Sequence, residues 1–155
     1  MGVGLGTEPI LAEGTPIRIT SNRMEANSQD RKATFFESVV LRTNDLIVQS
    51  EVMVMLFKEK SSTESDDSAT PSSGRKIKLI DAREKVVITK PNLKATCGHA
   101  VYFKDQEKIV LTESPVAWQK GTRVSGLKII MYLEEDRMEV EGESRVDFLD
   151  EGDDG

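Results

Sequence analysis

One cysteine, one histidine, one tryptophan and two tyrosines in 155 residues leave this chain short of the groups that carry most chemistry. The single thiol, Cys97, excludes an internal disulfide and leaves a zinc cluster without its thiolates. Acids outnumber bases 27 to 21, for a net charge of −6. No Lys/Arg stripe with interleaved aromatics offsets that balance, so the cationic face required by a phosphate backbone is missing. No apolar run approaches the roughly 20 residues of a membrane-spanning helix. The opening MGVGLGTEPILAEG has neither the basic start nor the long apolar centre of a signal peptide, and is expected to follow an export signal already removed. No Gly-rich phosphate loop or GxSxG elbow is present, and His99 has no evident partner in the sequence. These absences argue against a catalytic centre, a metal site and a cofactor, and the protein is read as not an enzyme.

What is present is a repeat. The phrase ESVV begins at Glu37, EKVV at Glu84, ESPV at Glu113 and ESRV at Glu143, at intervals of 47, 29 and 30 residues. Removing the 19 residues 58–76 shortens the long interval to 28. A second marker keeps the same beat, with SNRM at Ser21, SEVM at Ser50, CGHA at Cys97 and SGLK at Ser125. Two markers with one period indicate a stacked architecture. Cys97 occupies a slot that is serine in the other units, which makes it a packing thiol.

Within a unit the periodicity is two. PIRITSN places Ile17, Ile19 and Ser21 on one face, DLIVQSE does so with Leu46, Val48 and Ser50, and NLKATCG with Leu93, Ala95 and Cys97. β-branched runs such as EKVVIT and KIIMY alternate with turn segments at 43–45, 90–92, 104–108, 119–122 and 134–137. The connections are too short for crossovers, so the sequence predicts an all-β, antiparallel fold built from two-stranded units. The domain is predicted over 16–148, after a lead-in at 1–15 and before an acidic tail at 149–155. Residues 58–76, rich in Ser, Thr and acids, are predicted to form a flexible loop between strands. Six methionines, including Met24, Met53, Met55 and Met131, add an adaptable apolar lining.

These residues resemble a family. Pro16, Ile17, Ile19, Ser21 and Asn22, then Ala33, Thr34, Phe35 and Val39, then Leu46, Val48, Ser50 and Glu51 match the opening unit of the OstA-like (LptA) proteins, the periplasmic lipopolysaccharide-transport bridge of Gram-negative cells. Later units match through LKATCGHAVYFKDQEKIVLTESPVAWQKGTRVSGLKIIMYLEEDRMEVEG. The family's usual glycine before the V of each unit is replaced by Glu37, Glu84 and Glu113, which puts the local turn geometry in question. The resemblance implies an open, V-shaped β-jellyroll with an apolar inner groove. It also implies a periplasmic location, lipopolysaccharide acyl chains as ligand, and assembly through edge strands, head to tail and with other transport proteins. By resemblance the groove takes Ile17, Ile19, Phe35 and Tyr102. From the period-2 phase it takes Val39, Leu46, Val48, Leu93, Ala95, Val116, Trp118 and Ile130.

Three other readings compete. The resemblance extends to the soluble OstA-like domain of the outer-membrane translocon, which carries the same fold. A self-associating envelope scaffold with a dry core would need no lipid. A carbohydrate-active β-solenoid enzyme would need clustered acids, for which the recurring glutamates are the only candidates.

Overall fold

The structure, a computed structural model, describes residues 16–59 and 76–148. The expected lead-in, most of the inserted loop and the acidic tail lie outside the described residues. Among the described residues, twelve strands and one 3-10 turn at Lys104–Gln106 make up the regular structure. No helix among the described residues is long and apolar enough to cross a membrane.

The chain crosses the molecule in eight antiparallel passes, each with a corner near its middle. Four passes are single long strands: β3 (Lys32–Thr43), β4 (Leu46–Phe57), β5 (Ile77–Lys90) and β6 (Leu93–Phe103). The other four are broken at the corner into β1 (Arg18–Thr20) and β2 (Arg23–Asn27), β7 (Lys108–Thr112) and β8 (Val116–Gln119), β9 (Thr122–Ser125) and β10 (Lys128–Tyr132), and β11 (Arg137–Glu141) and β12 (Arg145–Phe148). The sheet therefore divides into two half-sheets. The first runs β1, the second half of β3, the first half of β4, the second half of β5, the first half of β6, β8, β9 and β12. The second runs β2, the complementary halves of β3 to β6, β7, β10 and β11. Leu41 and Val48 of the first line the same small cavity as Ile80, Ala82, Ala100, Tyr102 and Ile109 of the second, so the two pack face to face. The result is the open antiparallel β-jellyroll expected from the sequence.

The repeated phrases are the corners. Every pass from the second half-sheet to the first turns on a left-handed pair: Glu37–Ser38 (φ 69° and 54°), Glu84–Lys85 (71° and 57°), Glu113–Ser114 (66° and 60°) and Gly142–Glu143 (80° and 47°). Glu37 and Ser38 stand against one residue of β4, and Glu84 and Lys85 against one residue of β6, so each pair is a β-bulge that bends its strand. Passes in the other direction turn on the second marker. The Ser21 and Ser50 hydroxyls donate to the carbonyls of Arg23 (3.0 Å) and Val52 (2.9 Å), and the Cys97 thiol to that of His99 (3.4 Å). Neighbouring corners are joined by backbone bonds, Asn22 N–H to Glu37 O at 3.0 Å and Gly98 N–H to Glu113 O at 3.0 Å. Gly98 is required there, because a Cβ would lie 2.5 Å from Glu113 Oε1 and 2.9 Å from its Cβ.

The departure from the family's glycine thus falls on residues that adopt the conformation glycine favours. An L-residue in the left-handed region costs about 1–2 kcal/mol, while glycine's greater freedom in the unfolded chain offsets about 0.5–1 kcal/mol of any gain. Glu84 is exposed and makes no side-chain hydrogen bond among the described residues. Glu84→Gly is therefore expected to raise the melting temperature by about 2–4 °C, whereas Glu84→Ala raises nothing. Thermal unfolding followed by circular dichroism reads the difference.

Candidate functional site

Alternation along every pass turns one apolar row inward. Val39, Leu41, Leu46, Val48, Met53, Met55, Ile80, Val86, Ile88, Ala95, Ile109, Leu111, Ile129 and Met131 form one continuous buried cluster running through all the central strands. Nine of the expected groove residues belong to this interior. Phe35, Val39, Leu46, Val48, Ala95 and Tyr102 are buried in it, and Ile17, Ile19 and Leu93 pack against it half-buried. The interior is closely filled at its centre, where the cavity between the half-sheets holds only about 10 Å³.

Three expected residues lie elsewhere. On β8 the buried residue is Ala117, while Val116 is half-covered and Trp118 is 39% exposed. The inward row keeps one phase across the corner, through Ile109, Leu111, Pro115 and Ala117, so Pro115 fills the buried slot that Val39 and Val86 take in the earlier units and Val116 and Trp118 fall on the other face. On β10, Ile129 and Met131 face the interior, while Ile130 is buried on the opposite face, across from Val110 and Glu139. The run IIM is apolar on both sides, so periodicity does not distinguish them.

The few polar groups facing inward are held neutral. Burial pushes the Cys97 thiol up to about 11, and its hydrogen bond to the His99 backbone offsets this only in part. That is the opposite of an activated nucleophile. Burial also pushes the Tyr102 phenol well above its ordinary range, assisted by the neighbouring Glu107 carboxylate, to which the hydroxyl donates at 3.3 Å. His99, expected to be partnerless, faces outward with Nε2 at 3.0 Å from Asp81 Oδ2, and Asp81 also accepts from Arg83 at 3.0 Å. The partner sits on the adjacent strand, 18 residues away, beyond the reach of local sequence reading. Among the described residues no group of three or more His, Cys, Asp or Glu is placed to hold a metal ion.

Among the described residues, β1 and β2 at the N-terminal rim are each bonded only to β3, and at the C-terminal rim β11 is bonded only to β10 and β12 only to β9. Each rim carries apolar side chains on the inward face. Met24, opposite Phe35, is 44% exposed. Val146 and Phe148, in register with Val124 and Thr122, are 47% and 75% exposed. An opening lies along the side away from the corners, near the C-terminal rim. There Asp45, Lys90, Asn92 and Lys120 on turns of the first half-sheet face Leu133 and Met138 of the second across a pocket of about 480 Å³.

A model of the family described as LptA/(LptD N-terminal domain) LPS transport protein matches residues 18–137, which run from β1 into β11. Among solved structures, this fold is similar to that of LptH from Pseudomonas aeruginosa, described as the LptA homologous periplasmic component of the conserved lipopolysaccharide transport device. The TM-score is 0.69 over 88% of this chain and 96% of that one, at 14% sequence identity. No curated protein matches by sequence.

Proposed function

Because the chain belongs to the LptA/LptD N-terminal domain family of lipopolysaccharide transport proteins, we propose that it is a non-enzymatic periplasmic carrier. It shelters lipopolysaccharide acyl chains between its half-sheets and joins like folds, including further copies of itself, rim to rim. The observation that carries this reading is a buried apolar face that continues to both rims and ends there in strands that, among the described residues, are bonded on one side only and carry exposed apolar side chains. Withdrawal of acyl chain from water is worth about 0.8 kcal/mol per CH₂. Several methylenes therefore supply useful affinity with no reaction at all. Unpaired edges are templates for strand addition, and antiparallel pairing of β1 and β2 with the β12 and β11 of a neighbour would extend both half-sheets at once. The same features suit the N-terminal domain of the outer-membrane translocon, which the family description also covers, and there the rim would meet a different neighbour.

The test is photocrosslinking. A photoreactive phenylalanine analogue at Phe35 or Ile19 is expected to yield lipopolysaccharide adducts, with none from the outward positions Arg18 and Trp118. Adducts from the outward pair alone would reject the interior as the lipid site. Absence of adducts at every position, in a protein that still associates end to end, would favour the scaffold reading.

A further inference from the structure

The centre of the interior offers about 10 Å³, room for about one water molecule at most. No acyl chain enters such a space without movement of the walls. The walls are two half-sheets joined along the line of corners, and that line is built from bulges and left-handed pairs, not from straight ladder. On the opposite side the pocket of about 480 Å³ already separates the turns of the first half-sheet from β10 and β11 of the second. Its lining includes Leu93, Leu133 and Met138, all of which also pack against the interior cluster, and Met131, which belongs to it. Its rim is polar, with Lys90 and Lys120 beside Asp45 and Asp136, while Arg137 is matched by Glu135 (2.9 Å) and Glu139 (2.6 Å) and stacks on Tyr132 at 4.0 Å. A polar rim over an apolar floor continuous with the core fits an amphiphile whose chain points inward and whose polar end stays in water.

We propose that this side pocket is where an acyl chain of a lipid amphiphile first lodges. The two half-sheets then part, bending along the corners, to take the chain into the centre. The inference rests on the lipid-transport reading and adds to it a place of loading and a movement. Insertion from the side explains how a chain reaches an interior whose central cavity has no room for a chain to slide lengthwise.

The experiment uses a Cys97→Ser background with cysteines introduced at Leu41 and Ile109, which line the central cavity from opposite half-sheets. A second pair, Val48 and Ala100, lines the same cavity and serves if the first pair impairs folding. Photoreactive residues are placed separately at Leu133 in the side pocket and at Phe35 in the core, and purified lipopolysaccharide is the probe. In the oxidised, half-sheet-locked protein, adducts are expected to persist at Leu133 and to fall at least tenfold at Phe35. Reductant is expected to restore the Phe35 adducts. Unchanged Phe35 labelling in the locked form would show that no parting is required and overturn the proposal. Phe35 labelling in the reduced form with Leu133 silent would also overturn it, by moving the loading point, while leaving the transport reading intact. Silence at both positions in the reduced protein would remove the transport reading itself.

Discussion

Replacing Leu111 by alanine is expected to lower the unfolding free energy by about 3–5 kcal/mol, the upper range for a buried leucine whose surroundings do not collapse around the void. Leu111 is wholly buried on β7, paired with Ala100 on one side and Ile129 on the other. Its neighbours are fixed by ladder bonds on both flanks, which limits relaxation. A loss of that size is a large share of the roughly 5–15 kcal/mol that holds a domain folded. It is read as a fall in denaturant midpoint with an unchanged slope. The comparison is Trp118→Ala, which removes a larger side chain from an exposed position on the outer face of β8 and is expected to cost less than about 1 kcal/mol. If Trp118→Ala proved the more damaging of the two, the assignment of inner and outer faces on β8 would fail.

The second large effect is on assembly. Val146 and Phe148 extend the apolar interior onto β12, the last strand of the first half-sheet, and are largely uncovered. In the proposed stack of copies they would meet the N-terminal rim of the next protein, where Ile17, Ile19 and Met24 stand. The double substitution Val146→Asp with Phe148→Asp places two carboxylates in that contact, and burying an unpaired charge costs several kcal/mol. Concentration-dependent association measured by sedimentation is expected to weaken at least tenfold. The isolated protein keeps its melting temperature to within a few degrees, because neither side chain is buried in the monomer. Equal association of the variant and the parent would remove the C-terminal rim from the interface. Loss of association together with loss of fold would instead make Phe148 part of the core.

Much of this organisation is legible in the sequence, and the reason is local. Leu46 with Val48 and Leu93 with Ala95 follow clean turns, and Ile17 with Ile19 open the described residues with no irregularity between them, so period-2 alternation gives their face directly. The beat of 28–30 residues is two passes, out and back, and its two markers are the two kinds of corner. What the repeated phrase hides is which of its positions is buried. Aligning the valine of ESPV with those of ESVV and EKVV puts Val116 and Trp118 inward, whereas proline occupies the buried slot and the row Leu111, Pro115, Ala117 keeps its phase. Ile130 was ambiguous because both faces of β10 are apolar. The left-handed state of Glu37, Glu84 and Glu113 was hidden too, since glutamate has no preference for that conformation, although repetition of the phrase marked the positions. The Asp81–His99 contact depends on strand register, which no local pattern fixes.

The alternation of two corner chemistries carries a rule of parity. Outbound crossings turn at the serine-type marker, with a side-chain hydrogen bond at Ser21, Ser50 and Cys97, and return crossings on a left-handed pair, and among the described residues a crossing of one kind is followed by the other. Duplication of a whole period adds one of each, keeps strand polarity, and lengthens the trough by two strand spacings, about 9.6 Å. Loss of a single crossing would reverse the direction of everything downstream and present the wrong border to the next molecule. Such proteins can therefore grow or shrink only in steps of one full module, which makes span a countable property of the gene.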